Sequence, residues 1–365
     1  MQAALASPET AAPPFSAALS RFRVGIESEI AGHLAGKRRA ALEAAPEAAA
    51  LVDSLADLML AGGKRLRPAL VHHAYLACGG PSPEEARTLE LAAEYLHTYL
   101  LIHDDVMDHA EVRRGRPSVH AVFRERHRRS GWRGEAQDHG RSMAILVGDL
   151  AASYAFELAG EAAGAGHPQV GTCFAAMAQE VIYGQYLEVL VSFADDPREE
   201  DLRRVLQLKS GRYSIERPLE LGALLARGSG AQLAVLSTYG QALGEAFQLR
   251  DDLLGVFGEA EAIGKPVGAD LAEGKFTFLV FHALAAASPV DRAWLRAARG
   301  NPAIGSAEAA RLRSLLAETG AAERVRDMVG ERVALARRSL AAVPFAPEGR
   351  EFLEGLIAYS EERDR

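Results

Sequence analysis

The chain has 365 residues, 48% of them hydrophobic, which is ample for a buried core. Its 41 Lys plus Arg against 49 Asp plus Glu leave a formal net charge of −8, so nonspecific attraction to nucleic acid or acidic membranes is excluded as its main business. Cys78 and Cys173 are its only cysteines and neither sits in a metal-ligand spacing, which points to a reducing compartment without structural zinc.

The start, "MQAALASPETAAPPFSAAL", lacks the basic region of a secretory signal and is interrupted by Pro13-Pro14, so residues 1–20 read as a disordered tail. From there the pattern is helical nearly throughout. Ala and Leu recur at spacings of three and four in "ALEAAPEAAALVDSLADLML", "EEARTLELAAEYLHTYLLIHDD" and "STYGQALGEAFQLRDDLLGVF", and alternating β-branched strands are hard to find. Breakers fall at short intervals, among them Gly62-Gly63, "CGGPSPEE", "RRGRPS", "AGAGHPQ", "RGSGAQ" and "ARGNPAIGS". No composition shift marks a boundary, so residues 21–365 are expected to form one all-α domain, a bundle of roughly ten or more helices around a central cavity. The charged stretch "FRERHRRSGWRGEAQDHGRS" reads as a surface excursion, and no apolar run reaches the length of a membrane span. A cytoplasmic protein follows as the expectation.

Two acidic elements stand out. Asp104, Asp105 and Asp108 close one apolar helical run, and Asp251-Asp252 close another far along the chain. Carboxylates three and four apart crowd a helix face and repel, so something positive must neutralise them. If a bundle brings the two elements together across a cavity, these hard oxygen ligands suit magnesium, which keeps waters and accepts substrate phosphates as its remaining ligands. Basic residues have the complementary distribution: Lys64, Arg65 and Arg67 in "GGKRLRP", Arg113-Arg114, Lys209 in "LKSGRY", and Lys265 and Lys275 in a Gly-rich loop that could close over phosphate oxygens. His97 lies seven residues before Asp104, two turns along nearly the same face. His103 and His109 read as structural.

The order of these elements resembles the trans-isoprenyl diphosphate synthases, the polyprenyl synthetases: "GGKRLRP", "HTYLLIHDDVMD", "RRGRP", Gly184-Gln185, "KSGRY", "FQLRDD" and "GKPVGADLAEGK". "YSIERPLELGALLA" and "DDLLGVFG" narrow the likeness to short-chain geranylgeranyl or farnesyl diphosphate synthases of actinobacterial type. The resemblance implies head-to-tail condensation of isopentenyl diphosphate with an allylic diphosphate, in a homodimer, with three Mg2+ ions present when substrate is bound. Asp104, Asp105 and Asp108 would bind two of them and Asp251 and Asp252 the third. Arg113, Lys209 and Lys265 would grip the allylic diphosphate; Lys64, Arg67, His97 and Arg114 would hold isopentenyl diphosphate; Phe247 and Gln248 would line the reacting centre, with Gln185 and Lys275 also in the substrate-binding set. Tyr99 and Leu100, with Leu96 a turn earlier, would line the tunnel that measures product length.

The sequence departs from the family's pattern in places. Position 255 is Gly where the second motif often has its third Asp, which bears on the third metal; position 188 is Glu for the usual Asp and position 210 Ser for Thr. A single aromatic above small alanines suits a twenty-carbon product, with farnesyl diphosphate the alternative. A class I terpene cyclase would need an Asn-x-x-x-Ser-x-x-x-Glu motif, but Asn301 is the only Asn and Gly305 stands where Ser would be. A non-catalytic partner subunit would be expected to lose the first acidic motif, which is intact here.

Overall fold

The computed structural model describes residues 14–164, 166–258, 268–301 and 303–362. Lys265 lies outside these residues.

Among the described residues the structure is all-α apart from one two-stranded ribbon. α1 (Pro14–Ala44) and α2 (Ala49–Met59) precede α3 (Leu66–Ala77) and α4 (Arg87–Met107). The ribbon pairs β1 (Val112–Arg113) with β2 (Arg116–Pro117) in antiparallel register. Then come α5 (Val119–Ser130), α6 (Ala136–Gly164), α7 (Pro168–Phe193) and α8 (Glu199–Val205), which runs straight on through a π-helical segment, Leu206–Glu216, into α9 (Arg217–Leu225). α10 (Gly230–Phe257) is started by a Ser229/Gln232 capping box. α11 (Ala269–Ala272), α12 (Phe278–Ala286), α13 (Pro289–Ala298), α14 (Ser306–Glu318), α15 (Ala321–Leu340) and α16 (Pro347–Glu362) complete the chain.

α10 runs through the interior against α15, the π segment and α9, while α4 packs on α6 and α3. Buried side chains from Phe15 to Ile357 form one continuous cluster. Small residues set the closest approaches. A Cβ on Gly244 of α10 would lie 2.7 Å from Gly211 Cα, and one on Gly184 of α7 would lie 2.8 Å from Lys209 N, so three backbones converge on the segment that carries Lys209.

Three expectations need correction. The disordered tail was drawn too long: α1 starts at Pro14, and Phe15 is buried against Phe352 and Tyr359, because an aromatic at that position can be covered by the C-terminal helix. The charged stretch after Phe123 is not an excursion. It is the end of α5, stopped by left-handed Gly131, and the start of α6, and its buried face comes from Phe123, His127 and Gly140, so the charges occupy only the outer side. Finally, α6 is long and apolar enough to cross a membrane by length and composition, because Ala, Ile, Leu, Val and Phe raise its mean hydropathy; it packs instead against α4, α5 and α7.

Candidate active site

Both acidic elements lie toward the C-terminal ends of long helices, α4 and α10, where they meet a common set of adjoining cavities. The first, about 450 Å3, is walled by Arg67, His97, Tyr99, Leu100, Asp104 and Tyr213, among others. Lys209 and Gln248 connect it to a second cavity of about 190 Å3 that reaches Asp252, Asp270 and Lys275. Gln185 and Met107 connect it to a third of about 840 Å3 that reaches Asp108, Glu188 and Lys275.

The first acidic motif divides by helix geometry. Asp104 and Asp108, four apart, face the cavities. Asp105, about 100° round the helix, is 2% exposed against 26% for Asp104, and it is pinned by Arg113, whose Nε donates at 2.8 Å. Arg113 is thus bonded to one acid of the motif and stands 3.7 Å from another, Asp104. Lys209 behaves otherwise: it bonds Glu188 and also stands 3.7 Å from Asp104, at the boundary of two cavities. Glu188, where Asp is usual, therefore reaches the lysine across from α7.

Around the second motif, Gln248 accepts from Ser210 Oγ at 3.0 Å and donates to Asp252 Oδ1 at 2.9 Å. Ser210 thus supplies the hydroxyl expected of Thr. Asp252 lines the smaller cavity, whereas Asp251 is exposed. Lys275 sits 2.9 Å from Glu273, 3.4 Å from Asp270 and 3.9 Å from Asp108, and lines the smaller cavity with Asp252. Burial works against its charge, but Asp270, Glu273 and Asp108 outweigh burial and raise its pKa.

The acids are correspondingly strained. Burial, reinforced by Asp104, pushes the Asp108 carboxyl up to about 6. Asp252 is pushed up to about 7 by burial, with Asp270 and Asp251 opposing the help of Gln248. Carboxyls held this far above their usual range by burial and one another are a donor set that a hard cation would relieve.

The basic end of the cavity is built on α3 and the π segment. Arg67 donates to Ser214 Oγ at 2.8 Å and stacks its guanidinium 4.3 Å from the centre of the Tyr213 ring. Tyr213 OH is 3.2 Å from His97 Nδ1. Burial holds His97 well below its ordinary pKa, and Arg67 and Arg114 push the same way, so it is a neutral imidazole. Lys64 lies over the Phe247 ring at 5.5 Å. Arg114 turns inward, donating to Leu58 O at 3.1 Å with Glu94 at 3.9 Å, and so ties the ribbon to the end of α2.

Of the expected tunnel residues, Tyr99 and Leu100 line the first cavity but Leu96 is fully buried in the core, since it points between α4 and its neighbours. Three contributors were missed. Tyr213 was visible only as the last letter of "KSGRY", and His103, set aside as structural, lines the cavity. Asp270 was visible as one of two acids in "GADLAEGK"; its Oδ2 would stand 3.2 Å from a Cβ at Gly255, so it occupies the neighbourhood of the absent third carboxylate.

Comparison with known proteins identifies the family. Residues 49–316 match the polyprenyl synthetase family. A short chain isoprenyl diphosphate synthase of Methanothermobacter thermautotrophicus is 37% identical over 64% of this chain and 67% of its own. A geranylfarnesyl diphosphate synthase of Aeropyrum pernix is 34% identical over 84% of this chain and 92% of its own. The crystal structure of a geranylgeranyl pyrophosphate synthase from Corynebacterium glutamicum, complexed with isoprenyl diphosphate and magnesium, superposes with a TM-score of 0.89 at 31% identity, covering 94% of this chain and 99% of that one. The chain belongs to the polyprenyl synthetase family and is a trans-isoprenyl diphosphate synthase, a prenyltransferase that condenses isopentenyl diphosphate with an allylic diphosphate.

Proposed function

We propose that this prenyltransferase makes a short-chain product, geranylgeranyl diphosphate, using Mg2+ held between Asp104 and Asp108 on one side and Asp251 and Asp252 on the other. The observation that carries the metal reading is geometric: Asp104 and Asp108 of one helix and Asp252 of another line adjoining cavities, where burial and neighbouring acids push the Asp108 and Asp252 carboxyls upward. When bound, the cations neutralise charge developing on the departing diphosphate. Lys209 and Lys275, beside Asp104 and Asp108 respectively, orient the same diphosphate. Asp105 keeps Arg113 fixed behind them.

Isopentenyl diphosphate is read into the basic end, with Arg67 and Lys64 as its cations and neutral His97 as a hydrogen-bonding group beside Tyr213. Lys265 keeps its proposed part in gripping the allylic diphosphate on the strength of the motif. The reacting double bond then meets an allylic cation in a cavity walled by Leu100, Leu101 and Val181, apolar groups that exclude water. No residue near this centre is assigned as the base; released diphosphate is the acceptor of the proton.

Product length rests on Tyr99 and Leu100, which bound the first cavity below Asp104. Replacing Tyr99 by Ala is expected to shift dephosphorylated products, separated by chromatography, to twenty-five carbons or more; an unchanged distribution would place the boundary elsewhere. Farnesyl diphosphate as the natural product is the second reading, and it is decided by the same chromatogram of the unaltered protein. A homodimer is part of the proposal. Its support is the set of large apolar residues on α6 and α7 that are exposed without lining the three cavities, among them Leu146, Phe156, Tyr183 and Leu190.

A further inference from the structure

We propose that His103 is a positioning residue for Tyr99, and through it a determinant of product length; this rests on the reading that Tyr99 bounds the cavity. The two residues are four apart on α4, so their side chains share a face one turn apart. Their rings meet edge-on, with centroids 4.7 Å apart and planes at 67°, an arrangement aromatic pairs favour. Both line the first cavity, His103 on the side of the acids.

His103 is itself held from the other helix. Its Nε2 lies 3.2 Å from Ile145 O and 3.7 Å from Asp149 Oδ1, so Nε2–H donates to α6. The seat exists because position 148 is glycine: a Cβ there would fall 2.3 Å from both Cδ2 and Nε2 of the imidazole. Gly148 is buried, and no other residue would let the ring lie back against α6.

The consequence is a restricted Tyr99. A helical tyrosine has two χ1 wells open to it. With the imidazole fixed one turn above, one side of the phenol ring is buttressed and the ring is kept across the cavity. Removal of the buttress frees the second well without touching Asp104 or Asp108, so the boundary becomes leaky rather than absent.

The test uses the full chain with Mg2+, isopentenyl diphosphate and farnesyl diphosphate, and separates dephosphorylated products by length. His103→Ala is expected to raise the fraction of products longer than the main one by about 3- to 10-fold, the ratio equivalent to one lost aromatic pair, while the Mg2+ concentration for half-maximal turnover stays in place. His103→Phe, which keeps a ring but loses the hydrogen bond, is expected to restore the narrow distribution. Where His103→Ala does not fold, as judged by circular dichroism, His103→Leu takes its place and is expected to broaden the products likewise. A shift with Tyr99→Ala but none with His103→Ala overturns this inference alone. No shift with either overturns the product-length reading as well, and a broad distribution with His103→Phe shows that the ring is not the buttress.

Discussion

On the proposed mechanism Asp104 carries more of the chemistry than its neighbour Asp105, although the two look alike in sequence. One faces Lys209 across a cavity and the other is consumed by Arg113. Asp104→Asn keeps the volume and removes the charge, so turnover is expected to fall at least ~10²-fold, the scale of one strong transition-state contact. Steady-state kinetics at saturating Mg2+ check this, and near-normal turnover would remove Asp104 from the metal set. At this scale the sequence was informative where spacing decides the face, as for Asp104 and Asp108, whereas Gln248 was legible only through the family resemblance. The sequence was uninformative where a partner comes from a distant element. That Arg113 is bonded to Asp105, that Tyr213 links Arg67 to His97, and that Asp270 stands beside Gly255 all depend on packing that no local pattern encodes.

Helices were legible because Ala and Leu at three- and four-residue spacings have one structural outcome in a soluble bundle. The π-helical run Leu206–Glu216 was not, since its wider turn leaves the apolar spacing nearly unchanged. It nonetheless matters: Lys209, Ser210, Tyr213 and Ser214 all come from it, and Gly184 and Gly244 give it room. The ends of elements were misjudged for a related reason, because Phe15 and Phe123 look like isolated aromatics until their covering helices are known. The docking of α16 onto α3 offers a test of packing. His73 stacks on Phe352 at 3.8 Å with neither ring nitrogen hydrogen-bonded, and burial, with His72 and Arg21, lowers its pKa to about 3. A depressed histidine contributes stability that is full above its unfolded value near 6.5 and is lost as pH falls toward the folded value. Stability should therefore drop by about 2 kcal/mol between pH 6.5 and pH 5 on this account, and His73→Phe should flatten that part of the profile. Urea titrations across the range measure it; a slope identical in both proteins would show that His73 does not charge on unfolding.

Across the whole molecule, one core holds two long helices so that acids remote in sequence share a set of cavities with the cations that answer them. Family membership follows from motif order and from matches covering most of the chain, whereas product length and metal occupancy are properties of the cavity's particular walls. The central claim is that this chain alone joins isopentenyl diphosphate to an allylic diphosphate by metal-dependent transfer. The most direct measurement incubates the purified protein with labelled isopentenyl diphosphate and an allylic diphosphate primer, with Mg2+ or with excess chelator, and follows label into acid-labile prenyl products. The account predicts primer-dependent incorporation into a twenty-carbon diphosphate that chelator abolishes and added Mg2+ restores. Folded protein that incorporates no label in the presence of Mg2+ and primer, or incorporates it equally with chelator, would contradict it.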